Sequence, residues 1–173
     1  MNQLAFIALG ANLPFEGIPA PRVLARAVTA IENAGLRVTA LSGIWQTAAW
    51  PPSDQPDYYN AVVAIDPSGL SPQALYEKLR TIESEFGRER RERWAARTLD
   101  LDIVAMEGRA GTFGAITLPH PSMHKRAFVL APLDEVAPEW RHPESGLSPG
   151  ELLGLLPEAY RYRRLGDLVA EGR

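Results

Sequence analysis

The residues best suited to chemistry lie between Arg88 and Val104, in the segment RERRERWAARTLDLDIV. Asp100 and Asp102 alternate there with large aliphatic residues, as in a β-strand, where side chains two residues apart point to the same face. The two carboxylates therefore stand about 6–7 Å apart on one face of a strand. Like charges at that spacing favour a cation between them, and carboxylate oxygens are typical ligands of Mg²⁺.

A tryptophan and five arginines precede the two aspartates: Trp94, with Arg88, Arg90, Arg91, Arg93 and Arg97. Guanidinium groups are always charged, and their forked donors match phosphate oxygens. Combined with a metal site, they indicate a metal-bound polyphosphate as the ligand. The alternative is an ordinary solvated loop followed by a strand with one acidic face, since both features are common in soluble proteins.

Composition limits the class of protein. A chain of 173 residues can bury its own core, so we expect one domain over residues 1–173. The absence of cysteine excludes disulfides and thiolate chemistry and is typical of a reducing cytosol. The N-terminal apolar run has the length of a strand and no basic flank, which predicts neither a signal peptide nor a membrane span. The net charge of −3 argues against a general nucleic-acid binder. We expect a cytoplasmic, monomeric protein that binds small molecules rather than nucleic acid or membranes.

The hydrophobic pattern predicts the elements that position these residues. The predicted order is strand, helix, strand, strand, helix, strand, over residues 3–9, 21–34, 36–45, 58–66, 72–86 and a strand that carries the aspartates and ends near 107. Such a βαββαβ order predicts an α+β, ferredoxin-like fold: an antiparallel sheet with both helices on one face, followed here by C-terminal additions. The proline-rich segment 47–57 is typical of a binding loop.

Other phosphate-binding motifs are absent from the sequence. It has neither a P-loop nor a Gly-x-Gly-x-x-Gly turn, so phosphates would be held by side chains and metal. His120 and His124 are four residues apart, but the prolines at 119 and 121 disfavour a helix and therefore a metal-binding pair. His120 is better suited to donate a hydrogen bond to a phosphate.

Several segments resemble one enzyme family. The segment RWAARTLDLDI at residues 93–103 closely resembles the signature of the 6-hydroxymethyl-7,8-dihydropterin pyrophosphokinases. Further similar segments occur in the family's order: IALGANL at 7–13, DQPDYYN at 54–60, PHP at 119–121 and RAFVL at 126–130. The resemblance implies a ferredoxin-like α+β fold and transfer of pyrophosphate from ATP to the hydroxymethyl group of the pterin, with release of AMP, in folate biosynthesis.

The resemblance also implies roles for individual residues. Asp100 and Asp102 match the ligands of two Mg²⁺ ions that bridge the ATP phosphates, and Arg88 and Arg97 match the arginines that assist the transfer. The positions that match the nucleotide site are Glu83, Arg90, Trp94, Ile103, Thr117, His120 and Arg126. The positions that match the pterin site are Thr47, Ala49, Trp50, Tyr58, Asn60 and Phe128.

The physical chemistry of the pterin positions agrees with the resemblance. A flat heteroaromatic ring needs stacking faces, which Tyr58 and Phe128 can supply, with Trp50 or Trp94 as further candidates. Asn60 can donate and accept hydrogen bonds along the ring edge. The chain departs from the family pattern at Arg80, where a glutamine is expected, and at Ala115 and Ala48-Ala49. The arginine-rich segment is shorter than the family pattern, which leaves Arg90 and Arg91 as alternatives for one phosphate contact.

Two other functions stay open on sequence grounds. The first is a ferredoxin-like module that binds RNA or protein through its arginines and aromatic residues and has lost catalysis. The second is another magnesium-dependent nucleotidyl or phosphoryl transferase on the same fold. The released nucleotide product would separate the second from a pyrophosphokinase.

Overall fold

The computed structural model describes residues 3–49, 53–87, 98–157 and 162–171. The strands are β1 (Ala5–Ala11), β2 (Arg37–Leu41), β3 (Gly43–Thr47), β4 (Tyr58–Asp66), β5 (Asp100–Met106), β6 (Gly111–Phe113), β7 (Ile116–Leu118) and β8 (Tyr162–Asp167). The helices are α1 (Ala20–Asn33), α2 (Pro72–Glu85), α3 (Ala127–Val136) and α4 (Pro149–Gly154), with a 3₁₀ turn at Met123–Lys125. None of the helices in these ranges combines the length and the hydropathy that a membrane crossing requires.

Six strands form one sheet, in the order β5-β1-β4-β3-β8, and β2 also pairs with β4. All of these pairings are antiparallel. Strands β6 and β7 form a separate hairpin. The α+β class and the antiparallel sheet with helices packed on it agree with the sequence prediction.

The predicted single strand over residues 36–45 was wrong, because the chain forms two strands that break at Ser42. The main-chain N–H of Ser42 donates to the carbonyl of Val62 at 3.0 Å. The Ser42 hydroxyl accepts from the N–H of Val62 at 2.9 Å and donates to the carbonyl of Gly43 at 2.7 Å. A side chain thus replaces part of the strand ladder, and β2 and β3 pair with different parts of β4.

Each face of the sheet has its own core. Helices α1 and α2 cover one face, where Leu24 and Ile31 of α1 and Leu75 and Leu79 of α2 are fully buried. Helix α2 begins as the sequence predicts, because the Ser71 hydroxyl accepts a hydrogen bond from the N–H of Ala74 at 3.1 Å. The other face is covered by the 3₁₀ turn, α3 and α4, through buried residues that include Met123, Leu130, Leu133 and Leu152.

Candidate active site

A row of residues in register crosses the sheet from β5 to β3, near one end of its strands. Asp100 of β5 lies opposite Gly10 of β1, Gly10 lies opposite Asn60 of β4, and Asn60 lies opposite Trp45 of β3. Directly opposed residues point to the same face of a sheet. Asp100 and Asn60, which are far apart in the sequence, therefore lie on one face with only a glycine between them.

Gly10 keeps this row open. A Cβ atom added at Gly10 would lie 3.3 Å from Oδ1 of Asn60, which is tighter than most contacts of a real Cβ atom. Ala8, which lies opposite Asp102, is also small. The two residues of β1 beside the aspartates therefore leave space above the strand rather than filling it.

The alternation predicted for the aspartate strand is present. Asp100 and Asp102 are half-buried, whereas Leu99, Leu101 and Ile103 are buried against the helices on the other face. Ile103, predicted at the nucleotide site, therefore points its side chain away from the aspartates.

The donor set suits a magnesium ion that arrives with a phosphate ligand. In the described part of the chain, no group of three or more histidine, aspartate or glutamate side chains could hold a metal by itself. Asp100 and Asp102 offer two carboxylates on one face. Mg²⁺ is commonly held by one or two carboxylates together with water and substrate phosphates, so these residues fit the ion.

His120 is held beside β5 by its main chain. Its N–H donates to the carbonyl of Val104 at 2.7 Å, and its Nδ1 accepts from the N–H of Ser122 at 3.1 Å. Because Nδ1 is the acceptor, the proton of the neutral ring belongs on Nε2. Burial and the charge of Arg126 lower the pKa of His120, and the charge of Asp100 acts in the opposite direction. The imidazole is therefore neutral near pH 7 and can donate from Nε2, as the sequence suggests.

Arg126, predicted at the nucleotide site, and Phe128, predicted at the pterin site, lie next to each other. Arg126 immediately precedes α3, and its Cζ lies 5.7 Å from the centroid of the Phe128 ring. Thr117, also predicted at the nucleotide site, is exposed on β7, and its hydroxyl lies 3.3 Å from that of Thr112 on β6.

The predicted pterin residues of β3 and β4 lie together. Thr47 is opposite Tyr58, and its hydroxyl accepts a hydrogen bond from Nδ2 of Asn60 at 3.2 Å. That bond orients the Asn60 amide, which is only 6% exposed. Ala49 is buried beyond the end of β3, and Tyr58 is half-buried.

Glu83 is placed differently from the other predicted nucleotide residues. Its side chain is 1% exposed and lies on α2, behind β5. Oε1 accepts from the main-chain N–H of Leu101 at 2.6 Å, and Oε2 lies 2.9 Å from Nη1 of Arg80. The predictions for Trp50, Arg88, Arg90, Trp94 and Arg97 concern residues outside the described ranges.

Sequence reasoning missed Trp45 and Asn12. Trp45 continues the row that contains Asn60, and its Nε1 donates to Oε1 of Glu135 on α3 at 2.6 Å. Asn12 follows β1, and its Nδ2 donates to Oε1 of Gln55 at 3.2 Å and to the carbonyl of Pro56 at 3.3 Å. Two-residue periodicity from Thr47 would have put Trp45 on the site face, whereas no local pattern reveals the Asn12 contacts.

Comparison with known proteins gives a consistent family. Residues 6–138 match the family model described as 7,8-dihydro-6-hydroxymethylpterin-pyrophosphokinase (HPPK). The 2-amino-4-hydroxy-6-hydroxymethyldihydropteridine pyrophosphokinase of Pseudomonas aeruginosa is 39% identical over 160 residues, which are 91% of this chain and 94% of the relative. The Haemophilus influenzae protein of the same name is 41% identical over 143 residues, or 82% of this chain and 86% of the relative.

Other relatives are longer than the matched region. The Synechocystis protein of the same name is 45% identical over 113 residues, which are 65% of this chain and 57% of the relative. The structure of wild-type Plasmodium falciparum HPPK-DHPS has a TM-score of 0.67 at 12% identity, over 89% of this chain and 44% of that one. The match therefore spans less than two thirds of these two proteins, and at this identity the Plasmodium structure shows the fold alone.

Proposed function

The chain belongs to the 7,8-dihydro-6-hydroxymethylpterin-pyrophosphokinase family, and from that premise we propose that it transfers pyrophosphate from ATP to 6-hydroxymethyl-7,8-dihydropterin in folate biosynthesis. One observation carries the proposal. Asp100 of β5 and Asn60 of β4 lie on one face of the sheet with only Gly10 of β1 between them, so a carboxylate suited to a metal and an amide suited to a ring edge are separated by a single strand. A site for phosphate and a site for a heteroaromatic ring therefore adjoin.

The proposed reaction is a displacement at phosphorus. The hydroxymethyl oxygen of the pterin attacks the β-phosphorus of ATP, and the bond from that phosphorus to the oxygen bridging to the α-phosphate breaks. AMP leaves with that oxygen, and the hydroxyl proton passes to solvent. Phosphoryl transfer of this kind depends on positioning and charge neutralisation more than on a strong base.

We assign Asp100 and Asp102 to two Mg²⁺ ions that bind with ATP. Three features of the two aspartates support this assignment: their side chains share one face of β5, both are half-buried, and the residues opposite them in β1 are small. When bound, the ions would neutralise charge on the phosphate oxygens. Arg88, Arg97 and Arg90 are proposed to neutralise the same oxygens, on the strength of the resemblance alone.

The remaining nucleotide contacts are proposed along the segment that flanks β5. Neutral His120 donates a hydrogen bond from Nε2, Arg126 supplies a fixed positive charge, and Thr117 supplies an exposed hydroxyl. Trp94 and the main chain at Ile103 are proposed to complete this part of the site.

The pterin is proposed to bind over β3 and β4. Tyr58 and Phe128 stack on its ring, and Asn60, oriented by Thr47, hydrogen-bonds its edge. Ala49 and Trp50 are proposed to border the ring on the loop side.

The order β5-β1-β4 followed by β2 and β3 supports a ferredoxin-like topology in which the second strand is divided in two. We further propose that residues 1–173 form one domain that acts as a monomer in the cytoplasm, on the basis of length, composition and the lack of cysteine.

The experiment that tests the function is incubation of the protein with ATP, Mg²⁺ and 6-hydroxymethyl-7,8-dihydropterin, with chromatography of the nucleotide products. AMP that appears only when the pterin is present is the expected result. ADP or pyrophosphate as a product would instead indicate another transferase. Salt-sensitive binding of single-stranded RNA without binding of Mg-ATP would indicate the RNA-binding alternative, which has no support among the relatives compared above.

A further inference from the structure

The peptide groups of Leu101, the residue between the two aspartates, are held from helix α2. Its N–H donates to Oε1 of Glu83 at 2.6 Å, and its carbonyl accepts from Nη2 of Arg80 at 2.5 Å. Within the described residues β5 forms one edge of the sheet. Side chains of α2 therefore occupy the hydrogen-bonding positions that a further strand would otherwise take.

The other side of the strand is fixed by β1. Main-chain groups of an antiparallel strand point alternately toward and away from the partner strand. Because those of Leu101 point outward to α2, those of Asp100 and Asp102 point inward, toward Gly10 and Ala8. The backbone that carries both carboxylates is thus held from two sides.

Arg80 and Glu83 form an ion pair on α2. Nη1 of Arg80 lies 2.9 Å from Oε2 of Glu83, and Cζ of Arg80 lies 4.8 Å from the centroid of the Tyr76 ring. Nη2 of Arg80 is also 3.9 Å from Oδ1 of Asp102. That distance is too long for a hydrogen bond but short enough for charge attraction.

We propose that Glu83 and Arg80 are positioning residues that set the geometry of the Asp100–Asp102 pair before metal and nucleotide bind. The inference rests on the proposed function, because it takes the two aspartates as metal ligands. The resemblance puts Glu83 among the nucleotide contacts, whereas this inference assigns it to support of the β5 backbone from the side of α2. It also gives a reason for Arg80, whose long side chain reaches both Glu83 and the carbonyl of Leu101.

The physical basis is preorganisation. Ligands that are already ordered lose little freedom when the metal–nucleotide complex arrives. Removal of the Glu83 carboxylate would leave the Leu101 N–H without its acceptor and Arg80 without its buried partner. Partners that orient metal ligands typically change metal affinity by about 10-fold or more when they are removed.

The test compares four variants: Glu83→Ala, Glu83→Gln, Arg80→Ala and Lys78→Gln. Lys78 is the matched control, since it lies on the same helix and its Nζ donates to the carbonyl of Ala34 at 2.9 Å, away from β5. The probe is Mn²⁺ with a non-hydrolysable ATP analogue, and free Mn²⁺ is followed by electron paramagnetic resonance. Amide hydrogen exchange at Leu101 shows whether its N–H has lost its acceptor.

Glu83→Ala is expected to bind Mn²⁺ about 10-fold more weakly, with faster exchange of the Leu101 amide and an unchanged KM for the pterin. Glu83→Gln still offers an oxygen to that N–H and should recover most of the affinity. Arg80→Ala should fall between the two, and Lys78→Gln should match the wild type.

Wild-type Mn²⁺ affinity in Glu83→Ala, despite fast exchange at Leu101, would overturn the inference. Should Glu83→Ala fail to fold, Arg80→Ala decides, and wild-type affinity in that variant would overturn the inference equally. Failure of the proposed function gives a different result, because the wild-type protein would then form no AMP whatever the variants bind.

Discussion

The guanidinium group of Arg126 lies over the ring of Phe128, with 5.7 Å between Cζ and the ring centroid. The two residues belong to different halves of the proposed site, since one is assigned to the nucleotide and the other to the pterin. Their positions at the start of α3 are fixed by the same helix, whose buried face packs on the sheet. One helix end therefore positions a cation and a stacking face side by side.

Phe128→Leu should change the KM for the pterin and leave the KM for ATP nearly unchanged. Loss of one stacking face is expected to raise the KM for the pterin by about 3- to 10-fold, because an aromatic contact contributes on the order of 1 kcal/mol beyond burial. The KM for ATP should stay within about twofold, since Arg126 keeps its charge. Steady-state kinetics with each substrate varied in turn measures both values. Equal increases in the two KM values would contradict the assignment of Phe128 to the pterin.

Asp102→Ala should abolish turnover and leave the fold intact. Its side chain is 36% exposed on the open face of β5, whereas the apolar face of that strand is untouched by the change. We expect a loss of AMP formation by orders of magnitude, with unchanged far-UV circular dichroism. Asp167→Ala is the control, because that side chain is 81% exposed on β8 and pairs with Arg164. Turnover of Asp102→Ala at the rate of this control would remove Asp102 from the site.

His120 should make stability depend on pH. Burial lowers its pKa from 6.5 in the folded protein, so on acidification the unfolded chain takes up the proton first. The free energy of unfolding should therefore decrease as the pH falls below 6.5, and this decrease should stop below the folded-state pKa. His120→Gln should lack this part of the decrease. Urea unfolding of both proteins between about pH 5 and about pH 7.5 measures the difference, and parallel curves would refute the expectation.

Gly10→Ala should disturb the pterin side of the site. The added Cβ would lie 3.3 Å from Oδ1 of Asn60, so the amide that Thr47 orients must change its position slightly to make room. We expect a several-fold higher KM for the pterin and a stability loss on the order of 1 kcal/mol. Gly166→Ala is the matched control, because a Cβ on that strand glycine has no atom within 4 Å. A pterin KM shared by the two variants would show that Gly10 is not needed for clearance.

Arg97→Ala should slow the chemical step. This expectation rests on the resemblance, because Arg97 lies outside the described residues. Loss of a charge that stabilises the transferred group typically costs orders of magnitude in rate with little effect on folding. Single-turnover measurements with saturating substrates isolate that step. A wild-type single-turnover rate would argue against a role for Arg97 in the transfer.

The elements around Asp100 were predictable because their signals are local. Alternation along β5 and the proline after Ser71 act within a few residues, and both agree with the structure. The break at Ser42 was not predicted, because it depends on hydrogen bonds to Val62 on another strand. Strand β8 was not predicted either, since its sequence YRRLGD is highly charged and its pairing partner β3 lies more than 100 residues earlier.

The site residues also divide into those that the sequence could place and those that depend on long-range packing. The resemblance to the family was sufficient to select Asn60, Tyr58 and Thr47, and the structure brings these three together. The resemblance could not show that Glu83 turns toward Leu101 and not toward the open face, because that depends on how α2 packs behind the sheet. Long-range packing thus decided which matched residues lie on the open face.

The hydrogen bonds from α2 to the outer edge of β5 also affect the tendency of the protein to aggregate. A sheet edge with unsatisfied N–H and carbonyl groups is a template on which another chain can add a strand. At Leu101 both groups are already bonded, to Glu83 and Arg80, and a charged side chain stands on either side of it. The two residues that we propose as positioning residues therefore also block the addition of a strand by a second molecule at this point of the edge, which favours solubility.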